Sequence, residues 1–596
     1  MDKRIVTLLF SSVLVKFSLI AQKPNVILII TDDQGYGDLG CHGNQAIHTP
    51  NLDKLYKQSV RFTNFHVDPT SAPTRAALMT GKYSHRVGVW HTIQGGNQMR
   101  SSEQTMAEVF KANGYKTALF GKWHLGSNYP YRPMDRGFDE WIGSGDGGVG
   151  TTDDYFWNDR VNDYLWHNGE RKLFEGYNPD VFFNSAIEFI GKNKGNPFFI
   201  YLATYVPHNP LSLPDTSWIK PYTNMGLNVN LSTFFAIIER VDKNVGRLRE
   251  ALTENGLDQN TLLIFLTDNG GTVGVEFYNA GMRGRKGDVY EGGHRVPCFF
   301  HWPKGKLQDG RDIMNLSAHI DILPTLIELC SLKLPKPIDF DGKSLVPLLY
   351  NKSARWKERT LFVETQRKTS YEKGENSVVM NDEWRLVNLK ELYKLNSDPG
   401  QRNDVSAQYP EIVRQMTGAF DEYWKRVTPG DREFPEVIAG TEYDKEIFLT
   451  TSDIRNSNVW NHGAVAAGIP VSDGEWHLHV AEKGLYEIEV RRWPKEVKAP
   501  MRGVPTVTKQ VDAWIGNNPV TGLLYQIQKP FKMLPVRFVT INVNGSQDIK
   551  MVNETDESKI FTINLSEGDI QLSSRFLDEE KNLITLAYYV YIRKSK

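Results

Sequence analysis

The sequence predicts an α/β protein with a doubly wound, mostly parallel sheet, followed by a smaller α+β subdomain and an appended all-β module. Three observations support this fold class. Continuous apolar runs alternate with amphipathic stretches as far as about residue 349, short strands with one long helix follow, and the pattern after about residue 446 is rich in β-strands. A chain of 596 residues is also too long for one hydrophobic core.

The predicted parallel sheet rests on apolar runs of the kind found in strands that are buried on both faces. These runs lie at residues 25–30, 117–120, 198–203 and 262–266. Amphipathic segments predict helices at residues 102–111, 181–190, 232–252 and 320–329. Strands that alternate with helices in this order predict a doubly wound sheet.

The C-terminal part of the chain has shorter elements. Loose alternation at residues 378–387, a short strand at 392–395 and a helix at 410–427 predict the α+β subdomain. The β-rich segments that predict a β-sandwich module lie at residues 475–480, 485–490, 537–543 and 586–592. The dipeptides Asp473-Gly474 and Asn544-Gly545 are typical of tight turns.

The N-terminus is predicted to be a secretory signal peptide. Lys3 and Arg4 precede an apolar run at residues 5–15 that is too short to span a bilayer, and Ala21 offers a small residue for cleavage. The alternative is a buried first strand. Export predicts a secreted protein, in the periplasm or at the cell surface, and no later segment has the length of a transmembrane helix.

The predicted division of the chain has four parts. They are a signal peptide at residues 1–21, an α/β domain at 22–350, an α+β subdomain at 351–445 and a β-sandwich-like module at 446–596. A net charge of −1 provides no basic surface for nucleic acid. Three cysteines argue against a disulfide-dependent fold, and whether Cys41, Cys298 or Cys330 pair stays open.

A long insertion is predicted between two elements of the α/β domain. Residues 143–150 are rich in glycine, and residues 151–168 show little regular pattern, so we expect a loop that lines the functional site. The aromatic residues of this loop are Tyr155, Phe156, Trp157, Tyr164 and Trp166. The alternative is that these side chains form the loop's own core.

Carboxylates follow two of the predicted strands. Asp32 and Asp33 come directly after the first strand, and Asp268 and Asn269 follow the strand at residues 262–266. Adjacent carboxylates repel each other unless a cation lies between them. Carboxylate and amide oxygens suit a hard cation such as calcium or magnesium and not zinc.

Ser71 is predicted to cap the N-terminus of a helix that ends at Gly81. A side chain in that place points at free backbone amides, and the helix dipole favours an anion there. Arg75, one turn along, supplies a fixed positive charge. The alternative is that Ser71 serves only as a cap.

Basic residues follow further strands of the predicted sheet. Lys122 and His124 end the strand that begins near Thr117, His208 follows the strand at residues 198–203, and Lys286 lies in a basic segment at residues 283–287. Two residues in alternate positions of a strand point to one side only if the strand continues through both. Each of these residues is weak evidence of a site when it is taken alone.

Together these segments resemble the type I sulfatase family, which belongs to the alkaline phosphatase superfamily. The resemblance covers most of residues 24–349, in the order of the family, and includes the signature Ser71-Ala72-Pro73-Thr74-Arg75. Other segments similar to family signatures lie at residues 35–40, 114–124, 207–210, 267–270, 283–287, 291–297 and 321–325. Residues 391–400 resemble the family's C-terminal subdomain, whereas the module after residue 446 lies outside the common core.

The resemblance implies a nucleophile and a metal ion. Ser71 matches the residue that is converted to 3-oxoalanine (formylglycine), here by a serine-type bacterial maturase, since Ser replaces the commoner Cys. Thr74 replaces the stricter consensus of Ser or Ala. A calcium ion is implied, and its ligands match Asp32, Asp33, Ser71, Asp268 and Asn269.

The resemblance also implies which residues bind sulfate and move protons. These positions match Arg75, Lys122, His124, His208 and Lys286. His124 is the expected base, and His208 with Lys286 is expected to protonate the leaving oxygen. Positive groups of this kind neutralise a sulfate ester before attack, and a positioned acid or base contributes roughly 10²–10⁴ in rate.

The resemblance implies a sulfuric ester hydrolase, and the expected substrate is a sulfated carbohydrate. Algal polysaccharides such as ulvan or carrageenan are favoured, glycosaminoglycans come second, and a small aryl or steroid sulfate is a further alternative. Arg283 and Arg285 are expected to hold a neighbouring carboxylate or a second sulfate. Two other functional classes stay open here, a two-zinc phosphatase of the same superfamily and a glycan-binding protein with an inactive core.

Overall fold

The computed structural model of the protein describes residues 23–351, 356–368, 371–428, 435–507, 513–515 and 531–595. The predicted signal peptide at residues 1–21 lies outside the described residues. Within these ranges, no helix combines the length and the apolar character that a membrane span requires.

The secondary structure of the described residues alternates as the sequence predicts. The helices are α1 (Pro50–Lys57), α2 (Ser71–Thr80), α3 (Met106–Ala112), α4 (Asn178–Asn193), α5 (Lys220–Thr223), α6 (Val229–Glu254), α7 (Glu291–His294), α8 (Ile322–Leu329), α9 (Val346–Leu349), α10 (Pro410–Val427) and α11 (His462–Ala466). The strands up to residue 318 are β1 (Asn25–Asp32), β2 (Val60–Phe62), β3 (Phe65–His66), β4 (Lys116–Lys122), β5 (Glu140–Ser144), β6 (Val161–His167), β7 (Glu170–Tyr177), β8 (Phe198–Pro207), β9 (Ser212–Leu213), β10 (Thr261–Thr267), β11 (Cys298–His301), β12 (Asp312–Ile313) and β13 (Ser317–Ala318).

The later strands form separate sheets. They are β14 (Leu361–Glu364), β15 (Ser377–Met380), β16 (Trp384–Val387), β17 (Glu391–Lys394), β18 (Val437–Ala439), β19 (Glu446–Thr450), β20 (Trp476–Val480), β21 (Gly484–Arg491), β22 (Trp514–Ile515), β23 (Phe538–Val543), β24 (Ser546–Met551), β25 (Ser558–Leu565), β26 (Gly568–Leu577), β27 (Leu583–Leu586) and β28 (Tyr589–Lys594).

The first part of the chain is built on a large mixed sheet, which confirms the predicted α/β fold class. The strand order in the described residues is β12-β2-β11-β10-β1-β8-β4-β5-β6-β7. The central strands β10, β1, β8, β4 and β5 run parallel, and antiparallel pairs lie toward both edges. Every residue of β1, β8 and β10 is buried, as their continuous apolar sequences predict.

Two layers of helices cover the two faces of this sheet. Val26 and Leu28 of β1 pack with α2, α3 and α8, whereas Ile27 and Ile29 of the same strand pack with α1, α4 and α6. Successive side chains of a strand point to opposite faces, so a strand between two helical layers needs apolar residues at every position. The doubly wound arrangement is therefore confirmed.

The carboxyl ends of the parallel strands meet at one edge of the sheet. Thr31 of β1 pairs with Thr267 of β10, and Asp32 pairs with Pro207 at the end of β8. Lys122 ends β4, which lies on the other side of β8. This register brings together residues that are up to about 240 positions apart in the sequence.

Helix α3 starts later than the sequence predicts. The expected start was Ser102, but Thr105 caps the helix by accepting a hydrogen bond from the Glu108 amide at 3.1 Å. The Glu108 side chain accepts a hydrogen bond from the Thr105 amide in return. This reciprocal capping box fixes the first turn at Met106.

The insertion is more regular than the sequence predicts. Residues 161–167 form β6, which pairs with β5 and makes a hairpin with β7 at the edge of the large sheet. The prediction of little regular structure at residues 151–168 is therefore wrong for this half of the insertion. Its strand pattern is interrupted because the register shifts between Val161 and Asp163, and Asn162 has a positive φ of 53°.

The four strands β14–β17 form an antiparallel sheet that packs against α10. Helix α10 spans residues 410–427, as predicted. A buried ion pair connects this part to the large sheet, because Arg385 Nε donates to Glu291 Oε1 at 2.7 Å.

The last part of the chain is a β-sandwich, which confirms the predicted all-β character. We call residues 437–594 the β-module. One of its sheets has the order β18-β20-β26-β23-β24, with β27 paired to β26, and the other has the order β19-β28-β21-β25. Apolar side chains of both sheets belong to one core. The turn between β23 and β24 has positive φ at Asn544 and Gly545, as its sequence predicts.

The three cysteines are free thiols. Cys298 and Cys330 are buried and Cys41 is partly buried. The open question of pairing is thus answered, since no disulfide joins any of the three.

Candidate active site

The ten residues that the sequence singles out for the site lie together where the parallel strands end. Three carboxylates meet three cations there, because Lys122 Nζ contacts Asp32 at 2.6 Å, Lys286 Nζ contacts Asp33 at 2.5 Å and Arg75 contacts Asp268 at 2.9 Å. Ser71, Asn269, His124 and His208 complete the group, and each contacts it or lines the same cavity.

Ser71 does not cap helix α2. Thr70 is the residue before the first turn, and Ser71 is the first helical residue. Its hydroxyl donates to Asp268 Oδ2 at 2.5 Å and lies 3.2 Å from Asp32 Oδ1. Lys122 Nζ approaches the Ser71 hydroxyl oxygen at 3.3 Å. The prediction of a capping role is wrong, because the hydroxyl points toward the strand ends instead of toward its own helix.

The oxygen atoms around Ser71 fit the donor set of a hard cation. Asp32 and Asp33 are among the described acidic groups whose ligand atoms lie close enough to share an ion. The side-chain oxygen of Asn269 is buried without a hydrogen-bond partner, while its amide nitrogen donates to Asp33 at 2.9 Å. A buried amide oxygen without a donor is costly, and a bound cation would satisfy it.

The charges at the site are strongly coupled. Burial alone would raise the pKa of Asp32, but the positive charges of Lys122 and its neighbours hold that pKa well below its usual value. Burial raises the pKa of both Asp33 and Asp268 although each contacts a cation. Burial also lowers the pKa of Lys122. A divalent cation at these oxygens would favour the charged form of both raised carboxylates.

His124 has a geometry that suits a base. Its Nε2 lies 3.0 Å from the carbonyl oxygen of Thr92, and a carbonyl accepts only from a protonated nitrogen. Nδ1 therefore carries the lone pair, and it is buried without a partner. Burial lowers the pKa of His124 well below its usual value, so the ring is neutral.

The backbone turns sharply at two of these positions. Asp33 and His124 adopt positive φ values of 68° and 65°. Such values are unfavourable for residues other than glycine and are common at functional sites. Strand β4 ends at Lys122, so His124 reaches the cavity through this turn and not through continued strand alternation.

His208 is less enclosed than His124. Its Nε2 lies 3.9 Å from Asp33 Oδ2, and Nδ1 lies 2.6 Å from the carbonyl oxygen of Asn209. Burial and the positive charge of Lys286 lower the pKa of His208 to about 3. The ring is therefore neutral near pH 7 in the free site.

A cavity of about 640 Å³ opens above these residues. Its lining combines the predicted residues Asp33, Ser71, Lys122, His124, His208 and Lys286 with residues that the sequence did not indicate. Asp146, Gly147, Val149 and Thr151 also line the cavity, and they belong to the insertion that the sequence predicts to line the site. The residues without a sequence signal include Thr92, Ile93, Arg367, Trp460, Asn461, Ala464, Ala467 and Ile469. They come from loops far apart in the chain and share no motif, so no sequence signal identifies them as a group.

Several predicted site residues lie elsewhere. Arg283 donates to the Tyr393 hydroxyl at 3.0 Å, Arg285 contacts Glu276 at 3.2 Å, and neither lines the cavity. The insertion contributes Thr151 to the lining, but Phe156 and Trp157 pack into the core of the β-module. Neither side chain lines the cavity, and neither forms a core of the loop itself, because both fill the core of the β-module.

The sequence matches two family profiles. The profile described as Sulfatase covers residues 24–332, and one described as N-sulphoglucosamine sulphohydrolase, C-terminal, covers residues 285–425. Uncharacterized sulfatase YdeN of Escherichia coli (strain K12) is 30% identical over 490 residues, which are 67% of this chain and 85% of that protein. Human N-acetylgalactosamine-6-sulfatase is 28% identical and covers 73% of this chain and 85% of its own length.

A solved structure has a similar fold. The crystal structure of Ps i-CgsB in complex with k-i-k-neocarrahexaose superposes with a TM-score of 0.62 at 31% identity, covering 68% of this chain and 94% of that one. The sulfatase profile alone spans more than half of the chain, and it includes the strand ends that carry Asp32, Ser71, Lys122 and Asp268. This chain belongs to the sulfatase family and is a sulfatase.

Proposed function

We propose that this sulfatase removes sulfate from a carbohydrate, with Ser71 in its formylglycine form as the nucleophile. The observation that carries the proposal is the position of the Ser71 hydroxyl. It lies within 3.3 Å of Asp268, Asp32 and Lys122 at the base of a cavity large enough for a sugar.

Calcium is the proposed metal. Asp32, Asp33, Asp268, Asn269 and the modified Ser71 would hold it, and the ion would supply positive charge beside the sulfate. The unpartnered Asn269 oxygen and the all-oxygen donor set support this choice over zinc. The two-zinc phosphatase alternative has no support from this donor set.

Formylglycine supplies a hydrated aldehyde with paired hydroxyls, one to attack and one to release the sulfate. A dedicated serine-type maturase is the proposed source of the modification. Arg75 and Lys122 are the proposed residues that hold the sulfate anion. Both are buried, so solvent does not screen their attraction to the anion. His124 takes a proton at Nδ1, the nitrogen that carries its lone pair.

His208 and Lys286 are the proposed partners of the leaving oxygen. His208 is neutral in the free site, and a sulfate ester beside it adds a negative charge that raises its pKa. Lys286 contacts Asp33 and lines the cavity, so its ammonium adds positive charge near the same oxygen. The proposed result is proton transfer to the alkoxide as the sulfur–oxygen bond breaks.

The substrate is proposed to be a sulfated oligosaccharide or polysaccharide. Carrageenan-type chains come first, because the Ps i-CgsB structure contains k-i-k-neocarrahexaose, and ulvan belongs to the same class. Glycosaminoglycans come second, because a relative is named for N-acetylgalactosamine 6-sulfate hydrolysis. The proposed role is polysaccharide degradation outside the cytoplasm, in the periplasm or at the cell surface. The proposed domain structure has its divisions at residues 22–350, 351–445 and 446–596.

Arg367 is the proposed residue for the role that the sequence analysis expects of Arg283 and Arg285. Its guanidinium lines the cavity and donates to the Thr92 hydroxyl at 3.1 Å. We assign it to a carboxylate or a second sulfate on the substrate, because a guanidinium binds such groups in a bidentate manner.

The test is sulfate release from a panel of defined oligosaccharides and a small aryl sulfate. The enzyme is produced together with a serine-type maturase, and modification of Ser71 is checked by mass spectrometry. Release from a carrageenan, ulvan or glycosaminoglycan oligosaccharide is expected. Efficient turnover of the aryl sulfate, with neither turnover of nor inhibition by any glycan, would refute the carbohydrate assignment alone.

A further inference from the structure

The β-module forms part of the cavity wall. Helix α11 and the residues beside it contribute Trp460, Asn461, Ala464, Ala467 and Ile469 to the lining. We call these five residues the module wall. Trp460 is only partly buried, and it lines the cavity.

Backbone hydrogen bonds fix the module wall to the α/β part of the chain. The Thr152 amide donates to the Trp460 carbonyl at 3.1 Å, and the His462 amide donates to the Gly150 carbonyl at 3.0 Å. Thr151 and Asn461 thus pair as a short antiparallel bridge, and both line the cavity. The position of the wall relative to the site is therefore set by main-chain contacts.

The insertion anchors the whole β-module in the same place. Phe156 and Trp157 are buried in the module's core, and the Phe156 amide donates to Glu496 Oε1 at 2.9 Å. On a second side, Asn128 exchanges two hydrogen bonds with the main chain of Phe448, at 2.8 and 2.9 Å. Buried aromatic anchors and paired hydrogen bonds describe a permanent interface.

The module wall meets the catalytic residues through one short segment. A side chain at Gly147 would meet Thr151 Cγ2 at 3.0 Å and His124 Nε2 at 3.6 Å, so glycine leaves this passage open. The Thr151 hydroxyl donates to the Gly148 carbonyl at 2.8 Å, which holds the segment beside the bridge. Gly147 therefore lies between His124 and Thr151, the residue that pairs with Asn461 of the wall.

The chemistry of the wall differs from that of the sulfate site. Trp460, Ala464 and Ile469 present apolar surface, and Asn461 and Thr151 present polar atoms beside it. A pyranose ring has the same two characters, an apolar face of C–H groups and an edge of hydroxyls. The two matching family profiles end at residues 332 and 425, so neither includes this wall.

We infer that the module wall is a sugar-binding subsite, in which the ring of Trp460 stacks on a pyranose of the substrate and thereby selects glycan esters. The inference rests on the proposed function, because it places a sugar next to the sulfate site. It assigns the β-module a direct part in substrate choice, while the sulfate site itself needs none of the five wall residues.

The test compares Trp460→Ala, Trp460→Phe and the control Tyr443→Ala. Tyr443 is an exposed aromatic of the same module that stacks on Tyr129 and does not line the cavity. Ala467→Leu narrows the wall and serves if Trp460→Ala does not fold. Steady-state constants are measured with a small aryl sulfate and with the best glycan of the carrageenan, ulvan and glycosaminoglycan panel.

The expected result is a split between substrates. Trp460→Ala should lower kcat/KM for the glycan by about 10- to 100-fold, mainly through KM, because a stacking contact binds ground state and transition state alike. Its kcat/KM for the aryl sulfate should change less than about threefold. Trp460→Phe should keep most glycan activity, and Tyr443→Ala should match the unmodified enzyme on both substrates.

Two other results would overturn the inference, each in a different way. In the first, Trp460→Ala loses kcat/KM equally on the glycan and the aryl sulfate, while the starting enzyme turns over the glycan fully. The wall would then have a structural role only, and the proposed function would be intact. Absence of any glycan turnover by the starting enzyme would remove the proposed substrate class and this subsite with it.

Discussion

The two sides of the cavity hold buried carboxylates in opposite ways. On the sulfate side, Asp32, Asp33 and Asp268 each contact a cation. Near the module wall, a second group of carboxylates consists of the buried Asp146, Asp153 and Asp154 and the partly buried Asp453. Its members are held mainly by neutral donors, as when Asp153 accepts from the Ser127 hydroxyl at 2.5 Å.

Burial raises the pKa of carboxylates on both sides, including Asp33 and Asp268, but the cations hold the pKa of Asp32 low. Burial raises the pKa of Asp154 to about 7 and that of Asp453 to about 6, whereas Asp32 stays charged because of Lys122 and its neighbours. The sulfate side therefore suits an anion and a metal ion. The carboxylates near the module wall contact mainly neutral donors, although Arg171 lies 3.9 Å from Asp154.

The largest expected effect comes from the nucleophile. Ser71→Ala should lower turnover by about 10⁴-fold or more on both aryl and glycan sulfates, because the hydroxyl that contacts Asp32, Asp268 and Lys122 is lost. The measurement is sulfate release, with peptide mass spectrometry of residue 71 in the starting enzyme. Full activity in protein whose Ser71 is entirely unmodified would contradict the formylglycine mechanism.

Removal of the metal should have the next largest effect. Chelation or Asp268→Asn should lower activity by roughly 10²–10³-fold, because the carboxylates lose their divalent partner. Calcium should restore the chelated enzyme and raise its stability by about 2.7 kcal/mol at 100 times Kd. Elemental analysis and thermal unfolding provide the readouts.

A matched control exists on the β-module. Glu436, His479 and Asp569 form another group with metal-ligand spacing, but it is exposed at the surface. His479→Ala should leave the calcium content and the activity unchanged. A requirement for stoichiometric zinc at the strand ends would contradict the calcium assignment.

The leaving-group prediction distinguishes substrates on the sulfate side. His208→Ala should slow glycan sulfates by roughly 10²–10⁴-fold and activated aryl sulfates far less, because a good leaving group needs little protonation. The measurement is kcat/KM over a series of aryl sulfates with different phenol pKa values. Equal losses across the series would argue against a proton-transfer role for His208.

The smallest expected effect is on stability, through the module-side carboxylates. The pKa of Asp453 is raised from 3.8 to about 6, so the folded state binds this proton more tightly than the unfolded state. Its contribution to the free energy of unfolding is therefore most favourable below about pH 4 and declines as the pH rises to about 6. Asp453→Asn should flatten this decline and raise the free energy of unfolding above pH 6, because each unit of pKa difference between the folded and unfolded states corresponds to about 1.4 kcal/mol.

Asp453→Asn keeps the acceptor that the Thr450 amide uses at 2.8 Å. Thermal unfolding between pH 4 and pH 8 is the measurement, and Asp473→Asn, an exposed change on the same module, is the control. If the stability of Asp453→Asn depends on pH in the same way as that of the starting enzyme, then the Asp453 carboxylate does not contribute the predicted decline.

The sequence by itself determined the large sheet and the sulfate side. Buried parallel strands need apolar residues on both faces, so β1, β8 and β10 are legible as continuous runs. The polar residues that end these strands stand out against those runs, and each lies in a segment that resembles a family signature. Helix α10 was predictable for a similar reason, because its apolar side repeats with the helical period.

Only the tertiary structure decided the module side. Asn461 is about 300 positions from Thr151 in the chain, and no local pattern predicts that their main chains pair. The aromatic residues of the insertion misled the sequence prediction, because composition does not tell whether a ring faces a cavity or fills a neighbouring core. Strand order and loop contacts arise from packing between distant segments, and these contacts bring a tryptophan of the β-module to the sulfate site.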